Sequence, residues 1–283
     1  MKNILRLLAY FLFISTFTFG CNGVKKKNDI RAEHTENDNE EITSTSQDEP
    51  QNISFKMKLW NQGIDFYARG NEPFWAVDID LDKGIRFSNL DGLIIETTSL
   101  EIHEAADAKV IRISGVGDSW EIIVTIMEEE CSDTMSDEKF RNSVKVEIKK
   151  EGEEEYAPYK GCGQYVPDYR IHDIWVLVEA NGNKINSDRF PEKGSPTFEF
   201  YAEEGRVSGH AGCNNFNSTF YRTGKDILNF EPFAMTRMMC PDMELEDLIA
   251  QSVAGNRIKY EVKNLELTLT GYDGNVLTFR KID

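Results

Sequence analysis

From residue 55 onward the chain alternates apolar and polar residues in short runs broken by Gly, Asp and Asn. Phe74-Trp75-Ala76-Val77-Asp78-Ile79 and Gly84-Ile85-Arg86-Phe87 flank the turn signal Asp82-Lys83-Gly84. Residues 93–95, 109–114, 120–127 and 144–149 repeat the pattern. Successive side chains of a strand point to opposite faces, so a period of two in runs this short predicts strands rather than helices. Residues 53–166 are expected to form one small antiparallel barrel or sandwich.

A second unit is expected over residues 167–283. Strands are predicted at 175–178, 197–201, 206–211, 257–263, 265–270 and 275–280, with turns at Asn181-Gly182-Asn183 and Asp273-Gly274. One stretch breaks the alternation. Leu245, Leu248, Ile249 and Val253 recur at helical spacing. Pro241 suits the first turn of that helix, Asp242, Glu244 and Glu246 complement its dipole, and Gly255-Asn256 ends it. The fold class that follows is mainly β: two small antiparallel β-barrel or sandwich domains, the second with one covering helix.

The first 52 residues follow a different rule. Lys2 and Arg6 precede an apolar run over residues 7–19, and Gly20 stands before Cys21. That run is shorter than the roughly 20 residues of a membrane span, so residues 1–20 read as a signal peptide. The segment resembles a lipobox, with Thr18 where Leu is usual, which predicts cleavage before Cys21 and lipidation of its thiol. An ordinary secretory peptide with an incidental cysteine is the alternative. Residues 21–52 hold Lys, Asp, Glu, Asn, Ser and Thr with few apolar residues, too few to offset the entropy of ordering, and are expected to be a disordered tether. Asn22 lacks the acidic character of an inner-membrane retention signal, which favours the outer membrane.

Net charge narrows the partners. The chain carries −17, and loss of Lys2 and Arg6 takes it to −19. Nucleic-acid binding needs a basic footprint, so no nucleic-acid partner is expected. Lys25, Lys26 and Lys27 lie beside the lipidated cysteine, where they would touch anionic headgroups or simply be solvated. With Cys21 acylated, Cys131, Cys162, Cys213 and Cys240 remain. An even count in an exported chain suggests disulfides, and four cysteines allow three connectivities. They fall as one pair in each half, which favours Cys131–Cys162 and Cys213–Cys240, each worth about 3.5 kcal/mol by chain entropy.

Two motif sets resemble known families. Gly209-His210-Ala211-Gly212-Cys213-Asn214-Asn215-Phe216, then Ala234-Met235-Thr236-Arg237-Met238-Met239-Cys240 and the acidic helix after it, resemble the META domain of HslJ-like lipoproteins. That resemblance implies a lipocalin-like antiparallel barrel with one helix, in an envelope protein associated with heat shock and, in some members, drug tolerance, without known enzymatic activity. The first unit is similar to another, uncharacterised, bacterial lipoprotein domain. The residues that carry this are Ala68-Arg69-Gly70-Asn71-Glu72-Pro73-Phe74-Trp75, Cys131-Ser132-Asp133-Thr134-Met135-Ser136-Asp137 and Gly161-Cys162-Gly163. Where that family usually has a proline after Phe140, this chain has Arg141.

No catalytic, cofactor-binding or metal residue is predicted. His210 and Cys213 are close in sequence, but parity and the resemblance both make Cys213 half of a disulfide, and a disulfide is no nucleophile. No Cys-X-X-Cys redox pair is present. Met235, Met238, Met239 and Met243 would suit Cu(I) only with a free thiolate at Cys240, so core packing is expected instead. The acidic run Glu128-Glu129-Glu130 with Asp133, Asp137 and Glu138 lacks the spacing of a calcium loop and reads as a solvated loop. His103, His172 and His210 have no partner at ligand spacing, and His34 lies in the tether. Trp60, Trp75, Trp120 and Trp175 are expected in the cores, in barrels filled rather than hollow. The resulting expectation is a non-enzymatic, membrane-anchored envelope lipoprotein that supports stress tolerance by binding a protein or a small ligand. The alternatives are a tethered inhibitor of a hydrolase such as lysozyme, reaching out with residues 131–141, or a carrier of a small hydrophobic ligand.

Overall fold

The computed structural model of the protein describes residues 54–104, 109–133 and 138–282. The expected signal peptide, Cys21 and the tether with Lys25, Lys26, Lys27 and His34 lie outside them. The described chain is mainly β.

A helix absent from the sequence reading comes first. In α1 (Phe55–Asn61) the Ser54 hydroxyl accepts a bond from the Met57 amide at 3.1 Å, capping the start. Eleven strands follow: β1 (Phe66–Asn71), β2 (Phe74–Asp80), β3 (Gly84–Asn89), β4 (Ile94–Glu96), β5 (Glu101–Glu104), β6 (Val110–Gly117), β7 (Trp120–Met127), β8 (Cys131–Ser132), β9 (Lys139–Phe140), β10 (Asn142–Lys150) and β11 (Ala157–Tyr165). Nine of them form a curled antiparallel sheet in the order β4-β3-β2-β1-β11-β10-β7-β6-β5, a half-barrel rather than a closed one. Its concave face buries Phe66, Val77, Ile79, Phe87, Ile113, Ile122, Val124 and Val146. On the convex face, Leu59 of α1 joins Tyr67, Phe140, Cys162 and Val166 in a satellite core. The edge strand β5 is exposed at all four residues, and Glu101 and Glu104 blunt that edge with charge.

The remaining strands are β12 (Asp173–Ala180), β13 (Asn183–Lys184), β14 (Thr197–Tyr201), β15 (Arg206–His210), β16 (Asn215–Arg222), β17 (Ile227–Phe230), β18 (Ala234–Met235), β19 (Arg257–Lys263), β20 (Glu266–Gly271) and β21 (Val276–Lys281). β12-β14-β15-β16-β17-β19-β20-β21 runs around until β21 pairs back onto β12, which closes an eight-stranded barrel. The interior is filled. Phe198 packs on Phe216 and Phe279 at 4.7 and 5.0 Å between ring centroids, and Phe200 on Phe220 at 5.2 Å. Trp175 lies among them, 1% exposed, its indole N–H donating to the Ile171 carbonyl at 2.8 Å. The single helix of this unit, α2 (Glu244–Val253), lays Leu245, Ile249 and Val253 on the barrel. Pro241 falls before the helix rather than in its first turn, since the first turn begins only at Glu244.

The two sheets belong to one compact unit, and the contact between them is polar and buried. Arg222, at the end of β16, donates from Nη1 to the Val166 carbonyl at 2.8 Å and from Nη2 to Asp65 Oδ1 at 2.9 Å and the Lys225 carbonyl at 3.0 Å. Asp65 Oδ2 accepts the Leu81 amide at 2.9 Å, and the Asp65 carbonyl accepts the Val166 amide at 2.8 Å. One carboxylate thus joins the half-barrel's entry strand, a hairpin turn and the guanidinium of the barrel. Arg141 stacks on Tyr221 with 3.6 Å from guanidinium carbon to ring centroid, and so contributes to this contact.

Asp168 sits in the connection and is 1% exposed. Arg170 grips it at 3.0 Å through Nε and 2.6 Å through Nη2, and the Tyr260 hydroxyl donates to it at 2.9 Å. Burial alone would push its carboxyl up, but the Arg170 bonds and charge and the Tyr260 hydroxyl outweigh burial and hold it below the usual carboxylate range. A depressed native pKa contributes stability above the unfolded value of about 4 and loses it as pH falls through the native value. Asp168→Asn should cost about 1.5–3 kcal/mol at pH 7 and flatten the fall in stability between pH 6 and pH 3. Urea titrations at the two pH values measure this, and an undiminished fall in the variant would refute it.

Candidate functional site

The three segments that mark the first unit converge on its convex face. Along β1, Phe66 and Ala68 face the core, and by alternation Tyr67, Arg69 and Asn71 face outward. Gly70 and Gly161 are needed because Trp75 lies across them. A Cβ at Gly70 would stand 2.0 Å from the indole nitrogen, and one at Gly161 would stand 2.1 Å from the Arg69 carbonyl. The indole N–H donates to the Lys160 carbonyl at 3.2 Å. Cys131 on β8 is joined to Cys162 on β11, and the Asn71 amide donates to the Asp133 carboxylate. Residues 69–72, 131–133 and 161–162 thereby edge one groove of about 720 Å³, within the size range of small-ligand sites.

Its walls are Met127, Phe140 and the disulfide, and its rim is polar. The Arg69 guanidinium is held by Asp78 at 2.7 Å and by the Ala68 and Val77 carbonyls at 2.8 Å, with the Tyr67 ring beside it. It is a fixed charge rather than a mobile one. Lys145 pairs with Glu147 at 2.8 Å, and the Ser143 hydroxyl donates to Glu129. Lys160 has no carboxylate partner among the described residues. Apolar walls with fixed donors and one free ammonium suit reversible binding of an amphipathic, partly anionic group. The acidic run is less solvated than expected: Glu128 turns inward to Lys109 and Tyr221, while Glu130 pairs with Lys139. The two ends of the segment 131–141 are fastened, since Cys131 pairs across to Phe140 and Phe140 is buried. Asp137 and Met135 lie outside the described residues.

The motifs of the second unit build a knot behind the barrel wall. Cys213 and Cys240 are joined. Asn214 is 2% exposed. Its Oδ1 accepts the Met238 amide at 2.6 Å and the Thr236 hydroxyl at 2.8 Å, and its Nδ2 donates to the Met238 carbonyl at 3.0 Å and to Glu246 Oε1 at 2.7 Å. Glu246 Oε2 accepts the Cys213 and Asn214 amides at 3.1 and 2.7 Å. Glu246, expected to complement the helix dipole, is 6% exposed, because its carboxylate reaches the two amides of the 213–214 turn. Every polar group here is matched, which makes the knot a fastening.

His210 is half-buried, and its Nδ1 meets no partner among the described residues. Burial, then the nearby Lys193 charge, hold its pKa below the ordinary histidine value. Lys193 donates to the Cys213 carbonyl at 2.8 Å and to Asn215 at 2.7 Å. His172 accepts the Ala202 amide at 3.4 Å, and His103 is exposed. The methionines divide against expectation. Met235 packs on the core, but Met238 is 46% and Met239 94% exposed, because the Asn214 bonds and the disulfide hold their backbone away from the barrel wall. Trp75 and Trp175 are buried as expected, Trp120 packs partly buried on the core of the first sheet, and Trp60, in α1, packs on the satellite core with its ring 6.1 Å from that of Tyr169.

Sequence reasoning missed Arg222 and Asp65 altogether, and missed that Glu246 turns inward. A signal was present for two of them. Phe216, Ser218, Phe220 and Arg222 share one face of β16, and Glu246 shares the helical stripe of Ile249 and Val253. Asp65 carries no such mark.

Two solved structures, both determined by NMR, are similar to part of the chain. One is 27% identical, covers 39% of this chain and 89% of its own, and superposes with a TM-score of 0.33. The other, from Burkholderia xenovorans, is 22% identical, covers 40% of this chain and 83% of its own, with a TM-score of 0.32. No curated protein sequence matches the chain. The META domain is not a known enzyme family. The segment that forms the closed barrel, the covering helix and the Asn214–Glu246 knot, residues 170–283, matches the META domain.

Proposed function

We propose that the protein is a non-enzymatic lipoprotein of the cell envelope, anchored through lipid on Cys21 to a membrane, with the outer membrane favoured, and that it supports envelope integrity under stress by binding. The observation that carries this is the groove: the segments around Arg69, Cys131 and Cys162, far apart in sequence, edge one cavity of ligand size. The META match is consistent with an envelope protein. The barrel interior, packed with rings, leaves no room for a hydrophobic cargo, so the groove is the place for a ligand or a partner's side chain.

A strain lacking the gene should be sensitised to heat or detergent and rescued by the intact chain. Cys21→Ser should abolish labelling by an alkyne fatty acid, membrane sedimentation and rescue. Ser143→Trp, which fills the groove from its rim, should abolish rescue at unchanged melting temperature and membrane level. Full rescue by Ser143→Trp would remove the groove from the account.

A further inference from the structure

The segment between β18 and α2 has a backbone whose two edges are used differently. Thr236 is fastened at its amide to the Asn215 carbonyl at 3.0 Å and at its hydroxyl to Asn214. Both backbone groups of Met238 are turned inward onto the Asn214 side chain. The N–H and C=O of Arg237 and Met239 make no bond among the described residues. In an extended chain alternate residues present their backbone groups to opposite edges, so this pattern leaves one open edge formed by Arg237 and Met239. Arg237, Met238 and Met239 are all exposed, and Met239 at 94% is the most exposed large apolar residue described. Cys240 follows it directly and is tied to Cys213.

We propose that Arg237–Met238–Met239 is an inhibitory loop that fits the cleft of a serine endopeptidase whose primary pocket takes an unbranched apolar side chain. Such a cleft binds an extended segment through alternate backbone groups, which gives affinity, and one projecting side chain, which gives specificity. The loop supplies both, already ordered, so little entropy is lost on docking. What separates an inhibitor from a substrate is the fate of the cut ends. The enzyme's serine oxygen adds to the Met239 carbonyl carbon, and its proton passes to the Cys240 nitrogen as the Met239–Cys240 bond breaks. That amine cannot leave, because the disulfide to Cys213 and the Asn214 bonds to Met238 hold both sides of the cut in place. It re-attacks the ester, returns the proton to the serine oxygen and restores the chain.

The test uses the disulfide-intact chain from residue 21 onward, titrated against chymotrypsin and subtilisin, with trypsin as the control. Tight inhibition of the first two, with at most one nick between Met239 and Cys240, is expected. Met239→Asp should weaken it about 100-fold or more, and Met239→Arg should transfer inhibition to trypsin. Because Met239 touches so little, both variants should melt with the parent. Absence of inhibition by the parent chain at about 10 µM, well above the affinity of such complexes, together with no trypsin inhibition by Met239→Arg, overturns the proposal. So does rapid hydrolysis of the loop as an ordinary substrate. Ser143→Trp should leave inhibition unchanged, which keeps this result separate from the groove.

Discussion

Arg222→Ala should lower the free energy of unfolding by about 3–5 kcal/mol, the range for breaking a buried ion pair on one side. Its side chain is 3% exposed and the Asp65 side chain 15%. Removal would leave the Val166 carbonyl and Asp65 Oδ1 without their donor, Asp65 with only the Leu81 amide, and the Lys225 carbonyl with only a long bond from the Tyr260 hydroxyl. The loss concentrates at the contact between the two sheets, so the effect should be on cooperativity as well as on the midpoint. Calorimetry of the parent chain should give one transition, because each sheet has its own core but the polar contact couples them. In Arg222→Ala the half-barrel and the barrel should melt separately. Arg222→Met tests whether the loss comes from the stranded charge or from volume. With Asp65→Leu added, the pair becomes apolar and much of the loss should return, since an apolar replacement of a buried ion pair is often neutral. A single unshifted transition in Arg222→Ala would show that the sheets are coupled by something other than this guanidinium.

The parts of the fold that sequence made legible are those in which local pattern and tertiary burial agree. Strands β2, β3, β7 and β10 alternate cleanly, and a one-residue slip would turn every buried residue outward. β11 escaped notice because its first five residues, 157–161, are exposed or only partly buried and its buried end holds Cys162 and Gly163 rather than aliphatic residues. α1 escaped because seven residues give too few turns for a periodicity to show, and its stability comes from Leu59 settling on the convex face. The cysteines were informative through position alone, and the structure joins Cys131 to Cys162 and Cys213 to Cys240. The groove was half legible: its motifs stood out, but nothing in one dimension says that residue 71 will meet residue 133. Charged residues misled most. Asp, Glu and Arg are rarely buried unless paired, and pairing over separations of 157 residues, as between Asp65 and Arg222, leaves no local trace.

Glu246 shows what such a hidden pairing is worth. Three donors converge on its two oxygens, the amides of Cys213 and Asn214 and the Asn214 side chain. Glu246→Ala would leave both amides without a partner behind the barrel wall and the Asn214 side-chain nitrogen with only the Met238 carbonyl, and at about 1–3 kcal/mol for each buried unsatisfied group a loss of about 3–5 kcal/mol is expected. Glu246→Gln keeps the shape but replaces one acceptor by an NH₂ that must face a donor, so it should fall between Ala and the parent. Asn214→Ala should cost a similar amount, because it frees the Met238 amide and carbonyl and one Glu246 oxygen. The two residues act on one network, so the double variant should lose less than the sum, with a coupling of about 0.5–3 kcal/mol. Hydrogen exchange gives the local readout. The Met238 amide, protected in the parent by a 2.6 Å bond to Asn214, should exchange faster in Asn214→Ala even though the Cys213–Cys240 disulfide still closes the loop. If Met238 stays protected and the two losses add, then the disulfide alone orders this segment, and the carboxylate is only a helix cap that happens to be buried.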